Sequence, residues 1–369
     1  MTTAAAPRLG TAVDAIHVSA YTIPTDPPES DGTLEWDSTT IVVVEIETAR
    51  ETGIGWTYGA ATAAPLIETL LAPVLVGCGA METAKAHSAM RAALRNVGYA
   101  GLGATAVSAV DVALWDLKAK LLELPLWQLL GAVHDEVPVY GSGGFCSYDD
   151  DQLAEQLSGW VADGIPRVKI KVGRDPAQDL VRARVAREAI GDEADLYVDA
   201  NGAFSTKQAL GFAEAFAELG VRWFEEPVSS NNLAGLRLLR ERGPAGMDIA
   251  AGEYASTPAD FRSLVGAVDC LQADATRCGG ITGLLQAAAL AEAHELDLSG
   301  HTAPTIHAHA LCGVPKLRHL EWFHDHVRIE RMLFDGFPEQ EGGFVRPSRD
   351  RPGLGVELKR ADASRYELP

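Results

Sequence analysis

From residue 137 onward, short apolar segments alternate with alanine-rich segments, and this alternation restricts the fold more than any other feature. The predicted strands are 137–145, 167–173, 195–202, 222–227, 248–253, 270–276, 296–301 and 317–323. Each stretch between them can hold one helix, which is the spacing of βαβ units. Eight such strands indicate an α/β fold, a TIM-type (β/α)7β barrel, with its chemistry at the carboxyl ends of the strands. A doubly wound sheet is the rival, but no glycine-rich phosphate turn follows the first strand.

The residues before the barrel have a different pattern, typical of an α+β domain. The predicted elements are strands at 11–24 and 39–48, a loop at 24–38 and helices near 61–75, 80–95 and 104–124. Pro125 should end the last helix at Leu124. Strands followed by a helical run indicate an α+β capping domain over residues 1–130, with the barrel at 131–329. We expect residues 330–369, which are rich in glycine and proline, to pack back on the capping domain.

Charge and cysteine content restrict the partners and the location of the protein. The formal net charge is −20, from 31 basic and 51 acidic residues, so we predict no nucleic acid and no anionic membrane as a partner. Five scattered cysteines without a C-x-x-C pair suit a reducing cytoplasm. The first ten residues lack the apolar core of a signal peptide, and no apolar run reaches the length of a membrane span. We therefore predict a soluble cytoplasmic protein.

Three carboxylates follow predicted strands at intervals of about one βα unit. They are Asp199 in LYVDAN, Glu225 in RWFEEP and Glu253 in DIAAGE. If the strands are parallel, the three acids converge on one rim of the barrel. A single acid after a strand is equally well explained as a helix N-cap, but three in register are not. Carboxylates without Cys or His suit a hard cation such as Mg²⁺.

Two lysines and an acid–histidine pair lie at other strand ends. Lys169 and Lys171 share one face of their strand because alternate residues point the same way. Two ammonium groups beside a divalent cation should lower each other's pKa and free one as a base. Asp274 and His301 lie on consecutive predicted strands, so their side chains can meet. A carboxylate on one ring nitrogen fixes the tautomer of the imidazole and raises its pKa.

These segments resemble the enolase superfamily, and within it the mandelate racemase-like group, over nearly the whole chain. The matching motifs are AVSAVDVALWDLKAKLLELPLWQLLG before the barrel and then K-I-K, D-A-N, E-E-P, G-E, A-D-A-T-R-C-G-G-I-T-G, G-H and L-E-W on successive strands. The resemblance implies that Asp199, Glu225 and Glu253 bind Mg²⁺. It also implies that Lys171 transfers the proton, while Lys169 contacts the substrate carboxylate.

The resemblance implies roles for the remaining residues at the strand ends. Asn201 would contact the substrate near the metal, and Glu321 would donate a hydrogen bond to its carboxylate. That donation requires a protonated Glu321 with a raised pKa. The muconate-lactonising and dipeptide-epimerase branches have lysine where this chain has Asp274, so Asp274 with His301 selects the mandelate racemase-like branch. Arg277 is equally well explained as structural or as a ligand contact.

The reaction class also follows from the chemistry of these residues. Removing a proton α to a carboxylate makes an enediolate, whose two negative charges a Mg²⁺ held by three carboxylates can stabilise. Lysine or histidine bases beside bound Mg²⁺ are the known form of enolase-type sites. With Lys171 on one face of the α-carbon and His301 on the other, the site suits dehydration of an acid sugar, our first choice by resemblance. Racemisation or epimerisation of a 2-hydroxy acid is the second choice and a lactone cycloisomerase the third.

Two further expectations concern the substrate and the class of protein. Segment 24–38 carries five acids and no basic residue, which favours monocarboxylic aldonates over diacids. A non-catalytic binding protein is the alternative from another class, since a fold does not determine a function. Such a protein would be expected to have lost a base or a ligand, and here every site position is occupied.

We also expect a homo-oligomer, as is common for enzymes of this resemblance.

Overall fold

The computed structural model describes residues 10–369. The segment 1–9, which carries most of our expectation that no signal peptide is present, lies outside the described residues. The first elements are β1 (Ala15–Ser30), β2 (Glu35–Glu47), β3 (Thr52–Tyr58), α1 (Ala63–Leu66), a π-helical segment (Ile67–Leu71), α2 (Ala72–Leu75), α3 (Thr83–Ala93), α4 (Leu102–Leu121) and α5 (Leu126–Leu129). The three strands form an antiparallel sheet in the order β1-β2-β3. This is the predicted α+β cap.

A closed parallel barrel follows the cap. Its strands are β4 (Val137–Ser142), β5 (Arg167–Lys171), β6 (Asp195–Asp199), β7 (Val221–Glu225), β8 (Asp248–Ala251), β9 (Cys270–Ala273), β10 (Asp297–Gly300) and β11 (Leu317–Phe323). Its helices are α6 (Asp150–Ala162), α7 (Asp179–Ile190), α8 (Thr206–Ala217), α9 (Leu233–Arg242), α10 (Pro258–Leu264), α11 (Gly280–Ala293), α12 (Pro304–Ala310) and α13 (His324–Leu333). The sheet closes because β11 pairs with β4, which confirms the (β/α)7β barrel.

Most predicted barrel strands extend a few residues past the observed carboxyl end, because the chain turns there into the loops that carry polar residues. Helix starts are encoded locally. Capping boxes, in which an N-cap side chain and the side chain three residues later exchange hydrogen bonds with the backbone, begin α6, α8 and α10. α4 ends at Leu121 and not at Leu124 as predicted. Glu123 adopts a left-handed φ of 56°, and Leu124 N–H donates to the Ala119 carbonyl. This C-cap ends the helix before Pro125 is reached.

Segment 24–38 is mostly strand, so our prediction of a loop is wrong. β1 continues to Ser30 and β2 begins at Glu35, with a register shift between Pro24 and Glu29. The prolines are tolerated because β1 is an edge strand of its sheet and does not need every N–H for pairing. The turn between the strands is held by Asp31, whose Oδ1 accepts hydrogen bonds from the following backbone N–H groups.

Strands β1 and β2 and the turn between them form a hairpin, and acids of its segment 24–38 bind to other residues of the protein. Glu29 is buried and accepts a hydrogen bond of 2.9 Å from Trp36 Nε1. Glu35 pairs with Arg174 at 2.5 Å, and Asp26 lies 3.5 Å from an Arg328 nitrogen. The preference for aldonates depended on these acids facing the substrate. It therefore loses its support.

The turn of the hairpin reaches the barrel mouth at Gly32. A Cβ on Gly32 would lie 2.5 Å from the Ala200 carbonyl oxygen and 2.6 Å from that of Val172. Backbone atoms at that distance cannot yield as a flexible side chain would. Val172 and Ala200 directly follow Lys171 and Asp199. The hairpin thus packs on the strand ends that carry the site.

We expect Gly32→Ala to lower the free energy of unfolding by about 1–3 kcal/mol, the typical cost of overpacking. It should also lower kcat/KM, because the displaced hairpin turn packs on the strand ends that carry the site. Steady-state kinetics would measure the change in kcat/KM, on a substrate found by the screen proposed below. Gly211→Ala is the matched control, because a Cβ at Gly211 meets no atom within 4 Å. Equal kcat/KM for the two variants would contradict the prediction.

Polar contacts join α4 of the cap to the start of α11 in the barrel. Ser108 Oγ accepts hydrogen bonds from the N–H groups of Gly279 and Gly280, at 2.9 and 3.0 Å. The carboxylate of Asp111 accepts from Thr282 N at 2.9 Å and from Thr282 Oγ1 at 2.7 Å. These groups satisfy N–H donors that a helix start leaves without partners. The cap therefore holds the loop that follows β9.

Asp111 makes the stability of the protein depend on pH. Burial raises the pKa of Asp111 from 3.8 to about 7. The folded protein keeps this proton where the unfolded chain has released it, so the free energy of unfolding falls as pH rises from about 4 to 7 and then levels. Asp111→Asn, which cannot ionise, should remove part of this slope, at about 1.4 kcal/mol per pKa unit. Urea unfolding at pH 5 and pH 7 would measure the free energy of unfolding of the wild type and of the variant. An equal change in that free energy between the two pH values in both proteins would refute the prediction.

The C-terminal segment contacts both the cap and the barrel. Its elements are β12 (Phe334–Asp335), β13 (Gln340–Glu341), β14 (Phe344–Val345), β15 (Glu357–Leu358), α14 (Arg360–Ala363) and a 3-10 turn (Ser364–Tyr366). Leu354 N donates to Asp116 of α4 at 2.6 Å, and Leu368 N donates to the Ala20 carbonyl at 2.8 Å. β14 pairs with the start of β4. α13 crosses the predicted boundary at 329/330, and the domain division itself stays a prediction.

Within residues 10–369, none of the helices has the length and hydropathy that crossing a lipid bilayer requires.

Candidate active site

Three neighbouring strands end in one row of charged residues. Lys171 is the register partner of Asp199, and Asp199 is that of Glu225. Glu253 follows the end of β8. One ligand oxygen from each of the three acids lies within 4.8 Å of the others, and all three side chains are buried. Across residues 10–369 this is the group of acidic, histidine or cysteine side chains that could hold a metal ion.

The chemistry of this carboxylate triad fits Mg²⁺. All donors are oxygens, which a hard divalent cation prefers over nitrogen or sulfur. Burial, and then the neighbouring charge of Asp199, raise the pKa of Glu225 to about 8. Oε2 of Glu253 is buried and has no hydrogen-bond partner. A dication would offset the repulsion among these acids and satisfy the remaining oxygen.

Both lysines of β5 lie inside the barrel. Lys169 Nζ is 2.7 Å from Glu225 Oε1, 2.8 Å from Glu321 Oε1 and 3.4 Å from Asp199 Oδ2. Lys171 Nζ is 2.6 Å from Asp199 Oδ2. Burial alone would lower both pKa values, but the carboxylates raise that of Lys169 well above its ordinary value and also raise that of Lys171. Lys169 does lower the pKa of Lys171, as predicted, but the acids around the two lysines outweigh this repulsion. The release of one lysine as a base assumed a divalent cation beside the pair, and it stays a prediction.

Asp274 and His301 meet as predicted from their positions on consecutive strands. Asp274 Oδ2 lies 2.7 Å from His301 Nδ1, while its Oδ1 accepts hydrogen bonds from Thr276. The other ring nitrogen, Nε2, is 3.3 Å from Glu253 Oε2 and 3.6 Å from Glu321 Oε2. Burial would lower the pKa of His301, but Glu253, Glu321 and Asp274 together raise it. The ring is held by Asp274 with Nε2 facing the other acids of the site.

Glu321 lies among cations, so the expected raised pKa is wrong. Burial would raise the pKa of Glu321, but Lys169 and then His301 lower it below its ordinary value. Ser142 Oγ also donates to Glu321 Oε1 at 2.6 Å. Ser142 was missed in the sequence, although it lies on β4 as the register partner of Lys169. A small hydroxyl in an apolar strand was too weak a signal.

The residues after the strand ends have unusual backbone conformations. Left-handed φ values occur at the non-glycine residues Asn201 (45°), Glu226 (38°), Thr302 (51°) and Ala303 (41°). Such conformations are costly and cluster at functional sites. Asn201 N donates to Asp199 Oδ1 at 2.8 Å, and its own Oδ1 is buried without a partner. The turn thus orients Asp199 and leaves the Asn201 amide oxygen for another group.

Two residues that reasoning from the sequence did not assign also contact the acids. Trp223 Nε1 donates to Glu225 Oε2 at 2.9 Å. Its place two residues before Glu225, on the same face of β7, was the signal for this contact. Arg277 Nη1 lies 3.2 Å from Glu253 Oε1, and its Nε lies 3.6 Å from Asp274 Oδ2. Nothing in the sequence distinguished this position from a structural arginine.

A polar cavity of about 750 Å³ opens at the turns that follow the strands of the carboxylate triad. Asn201, Glu226 and Gly252, which follow the third, fourth and fifth barrel strands, line it. Thr33 of the hairpin turn and Gly101 of the cap also line it. The cavity thus lies between the hairpin, the cap and the turns after the strands, and the side chains of Asp199, Glu225 and Glu253 do not themselves line it.

Known families match both parts of the chain. Residues 21–131 match the N-terminal domain of the mandelate racemase / muconate lactonizing enzyme family. Residues 152–363 match the family described as enolase C-terminal domain-like. A 3,6-anhydro-alpha-L-galactonate cycloisomerase from Streptomyces coelicolor is 33% identical to this chain, over 94% of the chain and 97% of the relative.

Solved structures of similar proteins share the fold. A mandelate racemase/muconate lactonizing enzyme-like protein from Rubrobacter xylanophilus is 56% identical, with a TM-score of 0.96 over 97% of this chain and 100% of its own. An L-talarate/galactarate dehydratase from Salmonella typhimurium LT2, liganded with Mg and L-lyxarohydroxamate, is 30% identical. Its TM-score is 0.90, over 98% of this chain and 94% of the dehydratase.

Proposed function

The chain belongs to the mandelate racemase/muconate lactonizing enzyme family of the enolase superfamily, and on this premise we propose that it is a Mg²⁺-dependent acid-sugar dehydratase. It would remove the α-proton of a hydroxy carboxylate through an enediolate intermediate. One observation carries the proposal. Lys171 and His301 lie on opposite sides of one barrel mouth, with three buried carboxylates between them.

The order of the strands sets this opposition. β5, which carries Lys171, and β10, which precedes His301, are separated by β4 and β11 on one side and by β6 to β9 on the other. A substrate carbon in the mouth would thus meet Lys171 on one face and His301 on the other. Removing a proton on one side and delivering one on the other needs this arrangement.

The residues would divide the work of dehydration. Asp199, Glu225 and Glu253 would hold Mg²⁺, which as a Lewis acid supplies stabilisation of negative charge on the substrate carboxylate. Lys171 Nζ would take the proton from the α-carbon as a neutral amine, once the charge of bound Mg²⁺ offsets the acids that raise the pKa of Lys171. His301 Nε2 gives a proton to the β-hydroxyl, the β-carbon–oxygen bond breaks, and water leaves. The resulting enol becomes a 2-keto-3-deoxy acid.

The remaining residues position the reacting groups. Asp274 holds His301 Nδ1, so that Nε2 is the nitrogen that moves the proton. Lys169, with Nζ near Glu321 at 2.8 Å, would place its charge against the substrate carboxylate. Asn201, whose Oδ1 has no partner, would accept a hydrogen bond from a substrate hydroxyl.

A screen of mono- and diacid sugars with Mg²⁺ tests the proposal. Each acid is incubated in D₂O with the enzyme, and keto-acid formation and deuterium incorporation are read separately. Keto product indicates dehydration, and deuterium without keto product indicates epimerisation. His301→Ala should abolish dehydration, since no group would then protonate the leaving hydroxyl. Unchanged turnover in this variant would refute the role of the Asp274–His301 pair. If no acid in the screen gives keto product or deuterium exchange, the result would favour a binding protein.

A lactone or anhydro-sugar cycloisomerase is the second candidate. The Streptomyces coelicolor cycloisomerase matches along nearly the whole chain, which favours it. The same two proton-transfer residues would serve it, with an intramolecular C–O bond breaking in place of loss of water. An anhydro-galactonate in the screen distinguishes the two, because its cycloisomerisation changes the product without releasing water.

We also propose a homo-oligomer located in the cytoplasm. Free cysteines support the reducing compartment, since Cys78, Cys146, Cys270, Cys278 and Cys312 form no disulfide. Light scattering on the purified protein would test the oligomer, and a monomeric mass would contradict it.

A further inference from the structure

Arg277 completes a closed ring of alternating charge in the active site. It touches Glu253 Oε1 at 3.2 Å and Asp274 Oδ2 at 3.6 Å. His301 touches the same two acids, Asp274 Oδ2 at 2.7 Å and Glu253 Oε2 at 3.3 Å. Each carboxylate thus lies between the guanidinium and the imidazole. The ring links the carboxylate triad, through Glu253, to the acid–histidine pair.

Hydrogen bonds to the backbone fix the turn that carries Arg277, and an aromatic ring lies near its guanidinium. Arg277 N–H donates to the Asp274 carbonyl at 3.0 Å, which fixes the turn after β9. The preceding residue, Thr276, accepts a hydrogen bond of 2.6 Å from Thr57 of the cap through its carbonyl. The ring of Tyr254 lies 5.3 Å from the guanidinium carbon, within the range of cation–π attraction. The Arg277 side chain is nevertheless 28% exposed, so it lies at the edge of the site.

We propose that Arg277 is a positioning residue that orients Glu253 and Asp274 and, by its charge, weakens the binding of Mg²⁺ to the carboxylate triad. The inference rests on the proposed function, since it assumes that the triad binds Mg²⁺. A guanidinium within hydrogen-bond distance of Glu253 repels a dication bound to the same carboxylate. It also occupies Oε1, which leaves Oε2 as the Glu253 oxygen without a hydrogen bond.

Loss of Arg277 should change two quantities in opposite directions: the affinity for Mg²⁺ should rise, and the turnover rate should fall. Without the guanidinium, both oxygens of Glu253 become available and the repulsion of Mg²⁺ disappears, so Mg²⁺ should bind more tightly. At the same time Asp274 loses one of the groups that orient it. His301 is then held less firmly, and turnover should slow. A residue that only supports the fold would move both quantities in the unfavourable direction.

Calorimetric titration of the purified protein with MgCl₂ tests the inference. We expect Arg277→Met to lower the Kd for Mg²⁺ by about tenfold and to lower kcat at saturating Mg²⁺ by about tenfold. Arg240→Met is the matched control. Arg240 also forms an arginine–carboxylate pair, 2.9 Å from Asp269, but at the amino end of β9, away from the triad. Its loss should leave the Kd for Mg²⁺ unchanged.

The outcomes separate this inference from the proposed function. Tighter Mg²⁺ binding with slower turnover supports it, whereas unchanged or weaker binding in Arg277→Met overturns it.

If circular dichroism shows that this variant is unfolded, Arg277→Lys replaces it. Lysine keeps the charge but lacks the planar fork that reaches two acids. Its Kd for Mg²⁺ should stay within about twofold of the wild type while kcat falls, and an unchanged kcat would overturn the inference. A wild-type protein that binds no Mg²⁺ overturns the proposed function and this inference with it.

Discussion

Replacing Lys171 by methionine should slow exchange of the substrate α-proton with solvent deuterium by about 10³-fold, the typical contribution of a positioned general base. Lys171 Nζ lies at the end of β5, 2.6 Å from Asp199 Oδ2, in the row that also carries Glu225. Methionine has a similar length and no proton to exchange. The volume of the buried side chain is nearly kept, so the barrel should remain folded.

Proton NMR of the substrate in D₂O, with and without enzyme, would measure this exchange. Lys207→Met is the matched control, because Lys207 is an exposed lysine at the start of α8 and is not among the residues assigned to the site. The control should exchange at the wild-type rate. A loss of less than tenfold in Lys171→Met would mean that another group removes the proton.

Replacing Glu225 by glutamine should weaken Mg²⁺ binding by about 100-fold, since it removes one of three buried negative charges from the site. Glu225 Oε1 accepts from Lys169 at 2.7 Å and Oε2 accepts from Trp223 at 2.9 Å. Glutamine can accept only one of these bonds, and its amide is a poorer ligand. Turnover should be lost together with the metal.

Thermal unfolding gives a readout that does not depend on activity. Mg²⁺ at about 100 times its Kd should stabilise the wild type by about 2.7 kcal/mol and raise Tm by about 3.5 °C. The Glu225→Gln variant should show little of this shift. Glu214→Gln, on the exposed surface of α8, should keep it in full. An equal shift in all three proteins would place the metal elsewhere.

Local sequence determined the barrel and the positions of its charged strand ends. Alternation of apolar and alanine-rich segments predicted each barrel strand, because a strand buried in a closed parallel sheet must be apolar along its length. The polar residue at the end of each run then indicated the candidate site, including Asp199, Asp274 and His301. The contacts of Ser142 and Trp223 with the site acids were not predicted, because a hydroxyl or an indole inside an apolar strand is typical of an ordinary core residue.

The electrostatic state of the site could not be derived from the sequence. Whether Lys169 has a raised or lowered pKa depends on which charges lie within a few ångströms. The sequence shows Lys171 two residues away but does not show that Glu225 and Glu321 lie 2.7 and 2.8 Å from Lys169 Nζ. The same contacts reverse the expected pKa shift of Glu321.

The hairpin shows the same division between local and tertiary information. Prolines and acids in segment 24–38 indicated a loop, since these residues are rare in isolated strands. Tertiary structure made it a strand, because β1 lies at the edge of its sheet and the acids find partners such as Trp36 and Arg174.

What the sequence alone determined is the order of strands and helices and the residue type at each strand end, since both follow from patterns a few residues long. Only the tertiary structure decided which of those side chains touch, because closing the barrel brings β4 beside β11 and packs the cap hairpin on the mouth. Contacts over such separations depend on the shape of the whole chain. They set the charges and the geometry on which the chemistry depends.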